Sequence, residues 1–315
     1  MKKRLTTLLA ILLILLLIAC GNGNGNEITP DPIESEDLNS SSMYPMTVTD
    51  SMGREVVIQT MPERLVSSVP SNTEIIYALG KGGHLVGVSV YCNYPEEALS
   101  VDKIGDYNGP NLELIIDAQP DVFFAAWLSE EVIGQLENAG IAVLLINPSN
   151  LDETYDTIQS IGDVIGASDE ANEMILEMTA QQNDIVDKVS GYPAKKVFYE
   201  IWHDPLMSSG PGSFMNELIV LSNGINIAGD TESAYPEFSI EKLITENPDV
   251  YLTADDGFKT PEDIFNRTGY ENIEAIRTGQ VFLLHQDITS RPGPRIIQGL
   301  EMVAKAIHPQ AFEGK

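Results

Sequence analysis

The sequence predicts an α/β fold with two similar lobes, each with a central, mostly parallel sheet, joined by one long bridging helix. Short apolar runs alternate with helical stretches, which is typical of chains that form parallel sheets. A segment at 111–122 recurs at 239–250, and this repeat indicates that the lobes share one plan. A long helical pattern without glycine or proline separates the two halves.

The first residues have the pattern of an export signal. Three cations at 2–4 precede an unbroken apolar run at 8–18, which is too short to span a bilayer comfortably as a permanent helix. The run ends in LIACG at 17–21, which resembles the lipobox of bacterial lipoproteins and implies that Cys20 is lipidated. An uncleaved anchor with a chance cysteine is the alternative. Both readings place the protein outside the cytoplasm, anchored to the bacterial cell membrane.

The composition of the mature chain excludes several classes of protein. Without the signal, 15 basic residues face 47 acidic ones, a net charge of −32 that argues against nucleic acid and polyanionic ligands.

If Cys20 carries lipid, Cys92 is the only other cysteine and no intramolecular disulfide forms. Residues 21–45 are rich in Gly, Asn, Ser, Pro and acid, which predicts a flexible tether. We expect a monomer.

The N-terminal lobe is predicted over residues 46–166. It begins with a hairpin of 46–50 and 56–58, and Gly80 ends a helix at 71–79. Short apolar runs predict the strands of its sheet at 65–69, 85–88, 121–125 and 142–146.

The bridging helix is predicted over 167–191 and the C-terminal lobe over 192–315. Ser168 is the expected N-cap, and apolar residues recur at helical spacing up to 190. At about 1.5 Å per residue this helix is roughly 30 Å long, enough to cross between lobes. A surface helix of one domain is the alternative. Strands of the second lobe are predicted at 196–200, 250–253 and 281–284.

The repeat places Glu113 and Glu241 at matching positions. NLELIIDAQPDV at 111–122 aligns without a gap with SIEKLITENPDV at 239–250. An acid in the first turn of a helix offsets the positive end of the helix dipole, which is one explanation for both. The other is functional: one exposed carboxylate on each lobe suits a partner that is itself a symmetric dimer with basic pockets.

Several motifs together resemble those of a known family, the periplasmic binding proteins whose two lobes are joined by a single helix. This class serves importers of cobalamin, siderophores, haem and some metals, and the cobalamin-binding proteins look closest. The resemblance covers about 64–309. It rests on PSNTE at 70–74, GVSVYCNYP at 87–95, GDY at 105–107, SSG at 208–210, YPEFS at 235–239 and RPGPRII at 291–297.

The resemblance implies a ligand cleft between the lobes, in which a corrinoid (cobalamin or cobinamide) lies against aromatic rings. Relatives carry tryptophan where this chain has Tyr107 and Tyr235, and a tyrosine ring keeps the ability to stack on a ligand. Both tryptophans are expected just after strands, where open α/β sheets bind ligands. The implied ligand-binding aromatic residues are Tyr91, Tyr107, Trp127, Trp202 and Tyr235.

The resemblance also implies the partners and the mechanism. Glu113 and Glu241 match the family's two docking glutamates, which contact an ABC permease dimer with its ATPase. The protein then does no chemistry and carries no cofactor or metal of its own. Arg291 lies in a Pro/Gly-rich loop at a strand end and is predicted to contact polar ligand groups. A salt-bridged structural role is the alternative for Arg291 and for Arg295.

Three other functions stay open at this point. A haem or ferric-siderophore receptor would have the same fold. A transition-metal receptor needs converging ligands, but no two histidines form an i, i+2 or i, i+4 pair; His203 and His285 follow strands, while His308 is expected to be solvated. An enzyme is disfavoured because the chain lacks Gly-x-Ser-x-Gly and zinc-type histidine spacing, and Cys92 has no evident paired base.

Overall fold

The computed structural model of the protein describes residues 43–106 and 109–313. The predicted signal, Cys20 and nearly all of the tether lie outside the described residues. Folded structure begins with the predicted hairpin of β1 (Met46–Thr49) and β2 (Glu55–Ile58), which pair antiparallel. Within the described ranges, no helix is both long and apolar enough to cross a membrane.

The N-terminal lobe is built on a four-stranded sheet in which every pair is parallel. Its elements are β3 (Leu65–Ser67), α1 (Pro70–Ala78), β4 (Leu85–Val88), β5 (Gly105–Asp106), β6 (Gly109–Pro110), α2 (Leu112–Ala118), β7 (Val122–Ala125), α3 (Glu130–Asn138), β8 (Ala142–Leu145) and α4 (Leu151–Val164). The strand order is β4-β3-β7-β8, and β5 pairs antiparallel with β6. The chain adds β4 on one side of β3 and then β7 and β8 on the other side, so the strand order reverses between β3 and β7. Open α/β sheets bind ligands at the carboxyl ends of the strands at such a switch point.

A long helix leads into the second lobe. The elements that follow α4 are α5 (Ser168–Ser190), β9 (Lys195–His203), β10 (Leu206–Ser208), α6 (Phe214–Leu221), β11 (Gly224–Asn226), α7 (Ile240–Glu246), β12 (Val250–Asp255), α8 (Pro261–Phe265), α9 (Glu274–Arg277), β13 (Val281–His285), α10 (Gln286–Ser290) and α11 (Ile296–Ile307). The sheet order is β10-β9-β12-β13, with β11 beside the start of β9; β10 is its one antiparallel strand. The predicted α/β fold with two mostly parallel sheets is therefore confirmed.

Helix α5 packs against helices of both lobes. Its buried residues Met178, Ile185 and Val189 lie in the core cluster that also contains Ile161 of α4 and Leu300 of α11. Burial of each such side chain contributes roughly 1.5–3 kcal/mol, so the helix is fixed to both lobes. The described residues form one compact unit, and the lobe boundaries at 46–166, 167–191 and 192–315 stay predictions.

Two local predictions are wrong. The N-cap of α5 is Ala167 rather than Ser168, whose hydroxyl is buried without a hydrogen-bond partner among the described residues. His308 is fully buried rather than solvated, because its ring stacks on Tyr192 at 5.7 Å and Nε2 lies 3.3 Å from the carbonyl oxygen of Asn223. Burial lowers the pKa of His308, so the ring is neutral near pH 7.

The sequence repeat is also a structural repeat in α2 and α7. Asn111 and Ser239 each accept a hydrogen bond from the backbone N–H three residues later, at 3.2 and 3.1 Å. Both helices end in a left-handed residue, Gln119 with φ of 48° and Asn247 with φ of 47°. Equivalent N-cap and C-cap geometries therefore end both helices after the same seven residues.

A basic residue at the start of the strand that pairs with β7 or β12 supports each repeat in the same way. Asp121 and Asp249 each accept a hydrogen bond from the backbone N–H of a basic residue, Arg64 at 2.9 Å and Lys196 at 2.8 Å. The side chain of that basic residue donates to the last carbonyl of the helix, at 3.2 Å in the first lobe and 3.1 Å in the second. A cation at this position also offsets the negative end of the helix dipole.

Candidate functional site

The carboxyl ends of the two sheets meet where the lobes touch. The loop after β4 contacts the segment after β13: the Asn93 amide donates to Asp287 at 3.2 Å, and Arg291 donates to Asn93 at 2.7 Å. Loops at the carboxyl ends of parallel strands are where open α/β sheets bind their ligands. The loops of both lobes therefore border one space between the sheets.

Four of the predicted aromatic residues are exposed at these edges. Tyr91 follows β4, Trp127 follows β7, and Tyr235 lies in the loop between β11 and α7. Trp202 lies inside β9, one residue before its end, and not after the strand as expected. Between 48% and 69% of each residue is exposed, which is high for rings of this size and leaves apolar area for a ligand. Tyr107 lies outside the described residues.

The β9–β10 hairpin fixes the ring of Trp202. Its Nε1–H donates to the carbonyl oxygen of Asp204 at 2.8 Å, and the His203 ring lies 5.1 Å away at an interplanar angle of 39°. Trp202 pairs with Met207 across the hairpin. A ring with its single donor satisfied inside the hairpin can offer its face to an apolar ligand at little entropic cost.

The loop that carries Tyr235 depends on a glycine of the SSG motif. The backbone N–H of Gly210 donates to the Ala234 carbonyl at 2.9 Å, and a Cβ at position 210 would lie 2.2 Å from the Ser233 carbonyl oxygen. Any side chain at 210 would push this loop away. The motif therefore sets the position of Tyr235.

Arg291 is held by acceptors from both lobes. It donates to Glu74 at 3.0 Å, to Asn93 at 2.7 Å and to the carbonyl of Tyr91 at 3.4 Å, and it forms an ion pair with Asp287 at 2.7 Å. Only 13% of its side chain is exposed. The structure thus shows the salt-bridged role that the sequence left as the alternative, and contact with a ligand stays a prediction.

The two repeated glutamates lie in the first turns of α2 and α7. Glu113 and Glu241 are both exposed, and each follows its N-cap by two residues. One turn later, Ile116 and Ile244 are 40% and 39% exposed, so an acid and an apolar residue recur at matching places on the two lobes. Such a matched pair of surfaces suits a partner with two equivalent halves.

Phe258 is a candidate contact residue that the sequence prediction missed. It is 94% exposed and follows β12 at the same sheet edge as Trp202. Asp256 accepts hydrogen bonds from the backbone N–H groups of Phe258 at 3.0 Å and Lys259 at 3.1 Å, and the first of these holds the pKa of Asp256 below its ordinary value. The sequence signal available was an aromatic residue directly after the turn sequence DDG, which itself follows an apolar run.

The two histidines after strands are found at the edge of the second sheet. His203 ends β9 and His285 ends β13, and both are exposed. His285 borders a cavity of about 290 Å³ with Asp255, Asp256 and Asp287. Within residues 43–106 and 109–313, no three His, Cys, Asp or Glu side chains are grouped closely enough to hold a metal ion.

A buried ion pair between Glu200 and Arg267 stabilises β9 inside the second lobe. Glu200 of β9 is fully buried, and it accepts hydrogen bonds from Arg267 and from the hydroxyl of Tyr251, with Lys259 at 3.9 Å. Burial alone would raise the pKa of Glu200, but the hydrogen bonds from Arg267 and Tyr251 and the nearby cations outweigh it and hold the pKa below its ordinary value.

We expect Glu200→Gln to lower the free energy of unfolding by about 3 kcal/mol at pH 7, because it leaves Arg267 without its carboxylate. Since the folded pKa is the lower one, the contribution is fully present above the unfolded pKa of about 4.3 and is lost as the pH falls through the folded value. Urea unfolding of both proteins from pH 7 to pH 3 measures the difference, which should shrink with acid. A constant difference would contradict this assignment.

Comparison with known proteins agrees with this architecture. The periplasmic binding protein family matches residues 65–288. An ABC transporter substrate-binding lipoprotein of Bacillus subtilis, itself described as uncharacterized, is 34% identical, covering 99% of this chain and 100% of the relative. A vitamin B12-binding protein of Vibrio cholerae is 27% identical, covering 76% of this chain and 87% of that protein.

A solved structure shows the same fold. It is that of a possible iron-binding, periplasmic solute-binding protein of Staphylococcus epidermidis, with 29% identity and a TM-score of 0.70, covering 79% of this chain and 100% of that chain. The family consists of solute-binding proteins that act outside the cytoplasm. Its match spans most of the folded region, and the Bacillus relative is covered in full. The chain therefore belongs to the periplasmic binding protein family, as an ABC transporter substrate-binding protein.

Proposed function

We propose that the protein is a lipid-anchored receptor that binds a corrinoid, cobalamin or cobinamide, outside the cytoplasm and delivers it to an ABC permease. The observation that carries the proposal is the set of exposed rings at the facing sheet edges. Two of them belong to the first lobe, Tyr91 and Trp127, and two to the second, Trp202 and Tyr235. A corrin presents broad apolar faces, which such rings bury at about 25 cal/mol per Å².

The charge of the site also favours a ligand with little net charge. Arg291 is paired with Glu74 and Asp287, so its charge is already compensated within the protein. The mature chain has a large excess of acid. Anionic ligands such as ferric catecholate siderophores or haem with its propionates would therefore be repelled at long range, whereas a corrinoid with an amide rim is not.

Delivery is proposed to use the two lobes symmetrically. Glu113 and Glu241 would each contact a basic pocket in one half of the permease dimer, whose ATPase powers transport, and Cys20 would carry the lipid that keeps the receptor at the membrane. Charge-assisted contacts with arginine are directional, so one per lobe fixes the orientation of docking. The acyl chains contribute about 0.8 kcal/mol per buried methylene.

An iron-containing ligand, haem or a ferric siderophore, is the second candidate. It is supported by the possible iron-binding role of the Staphylococcus relative. His203 and His285 are also exposed at the same sheet edge as Trp202 and could reach a metal centre within a ligand.

The experiment is a titration of the chain lacking residues 1–20, which leaves every described residue in place. Cyanocobalamin, cobinamide, haem and a panel of ferric siderophores are added while tryptophan fluorescence is followed, because Trp127 and Trp202 border the proposed cleft. We expect saturable quenching by a corrinoid with a Kd below about 1 μM. Tight binding of haem or a siderophore without a corrinoid response would favour the second candidate and overturn the first.

A further inference from the structure

Two motifs that the sequence analysis singled out separately meet across the lobes. Glu74 ends the PSNTE motif in α1, and only 2% of its side chain is exposed. Arg291 and Arg295 belong to the RPGPR motif of the second lobe, and each has 13% of its side chain exposed. Glu74 Oε1 accepts from Arg291 at 3.0 Å and from Arg295 at 2.7 Å, while Oε2 accepts from Arg295 at 2.8 Å.

This geometry makes separation of the lobes costly at this place. Arg295 binds Glu74 in the two-bonded, planar arrangement that is strongest for arginine and a carboxylate. Hydrogen bonding to Glu74 raises the pKa of Arg295, which keeps the guanidinium charged. If the lobes moved apart, a buried carboxylate would lose both cations, and an unpaired buried charge is strongly unfavourable.

Neighbouring contacts extend the cluster to the ligand-side loop of the first lobe. The Arg295 guanidinium lies 3.9 Å from the centre of the Tyr94 ring. Arg291 also binds Asn93 and the carbonyl of Tyr91, so the side chain that pairs with Glu74 fixes the backbone of the loop at 91–94. Stacking of this kind and hydrogen bonds to a charged donor both restrict the loop to one position.

We propose that Glu74, Arg291 and Arg295 form an interlobe clasp that holds the two lobes at one separation without the help of a ligand, and that positions the loop of Tyr91. Transporter function alone does not require such a clasp, because α5 already joins the lobes. The clasp confines lobe movement to a narrow range around this pivot. Ligand exchange and release must then occur by small changes in the cleft or by breaking the clasp.

The test measures the distance between the lobes. Spin labels at Asp117→Cys and Thr245→Cys, which are exposed on α2 and α7, report the interlobe distance by pulsed electron paramagnetic resonance. The full-length chain carries Cys20→Ser and is kept in detergent, and Cys92 is too buried to be labelled. We expect one narrow distribution in this parent and a shifted or clearly broadened one after Glu74→Gln.

Glu200→Gln is the matched control, because it removes a buried glutamate–arginine pair that lies within one lobe. It should lower stability and leave the interlobe distance as in the parent. Asn93→Ala, at an exposed position that accepts one bond from Arg291 and donates one to Asp287, gives a milder test should Glu74→Gln not fold, and we expect a smaller broadening from it. Because the pair is buried, the parent distribution should stay narrow in about 0.5 M salt.

An unchanged distance distribution in Glu74→Gln would overturn the proposal. So would equal broadening in Glu200→Gln, since that would trace the effect to lost stability rather than to the clasp. If Glu74→Gln does not fold, a parent-like distribution in Asn93→Ala would overturn it instead. None of these outcomes depends on which ligand the protein carries.

Discussion

Replacing Trp202 by alanine is expected to weaken corrinoid binding by about 10- to 100-fold, which is roughly 1.4–2.8 kcal/mol. The ring is fixed by its hydrogen bond to Asp204 and by the β9–β10 hairpin, and more than half of the residue is exposed towards the edge where ligands bind. A fixed ring buries apolar area on binding and loses little side-chain freedom. Isothermal titration calorimetry with cyanocobalamin measures the change without relying on the fluorescence of the residue removed.

Two further variants serve as controls for this result. Trp202→Phe keeps an aromatic face but loses the Nε1–H donor and one ring of the indole, so it should bind more tightly than Trp202→Ala and less tightly than the parent. Leu176→Ala, at an exposed position on α5, removes apolar surface away from the sheet edges and should bind as the parent does. Because Trp202 and Leu176 are both exposed, the melting temperatures of Trp202→Ala, Trp202→Phe and Leu176→Ala should be close to that of the parent. Undiminished binding by Trp202→Ala would remove this ring from the site.

The parts of the fold that depend on local patterns could be predicted from the sequence. The strands at 122–125 and 250–253 are central in their sheets and buried on both faces. Their sequences are therefore continuous apolar runs, which are easy to recognise. The caps of α2 and α7 could be predicted because polar N-cap residues act within three positions of themselves. The weakly apolar β11 and the hairpin strand β10 were missed, since their pairing with β9 is set by tertiary contacts.

Only those site residues whose type and position near a strand end suggest ligand contact could be predicted from the sequence. Aromatic residues near strand ends were found, whereas the partners of Arg291 were not, because Glu74 lies 217 positions earlier and no local pattern links the two. His308 was misjudged for the same reason: Tyr192 and Asn223, which bury it, come from distant parts of the chain. Phe258 was not singled out, because its exposure depends on the turn that Asp256 holds.

The charge-reversed double variant Glu113→Arg and Glu241→Arg is expected to abolish transport while leaving ligand affinity unchanged. Both side chains are exposed in first turns with equivalent N-cap hydrogen bonds, so their replacement disturbs no buried contact. At each proposed basic pocket an attraction becomes a repulsion, which costs at least about 2 kcal/mol per contact and reduces productive docking by 100-fold or more for the pair. Uptake of labelled corrinoid by cells with this chain as their only receptor measures transport, and calorimetry measures affinity.

The matched control changes the net charge by the same amount elsewhere. Glu173→Arg and Glu177→Arg lie exposed on α5, so this pair has the same effect on long-range electrostatics without touching α2 or α7. Normal uptake with the control and none with the test pair would assign docking to the two repeated glutamates. A fall in ligand affinity in the test pair would place these residues in the ligand site instead, and normal uptake would leave them the local role of offsetting the helix dipole. Single reversals separate the halves: since a symmetric partner binds both lobes, each alone should lower uptake by a similar factor.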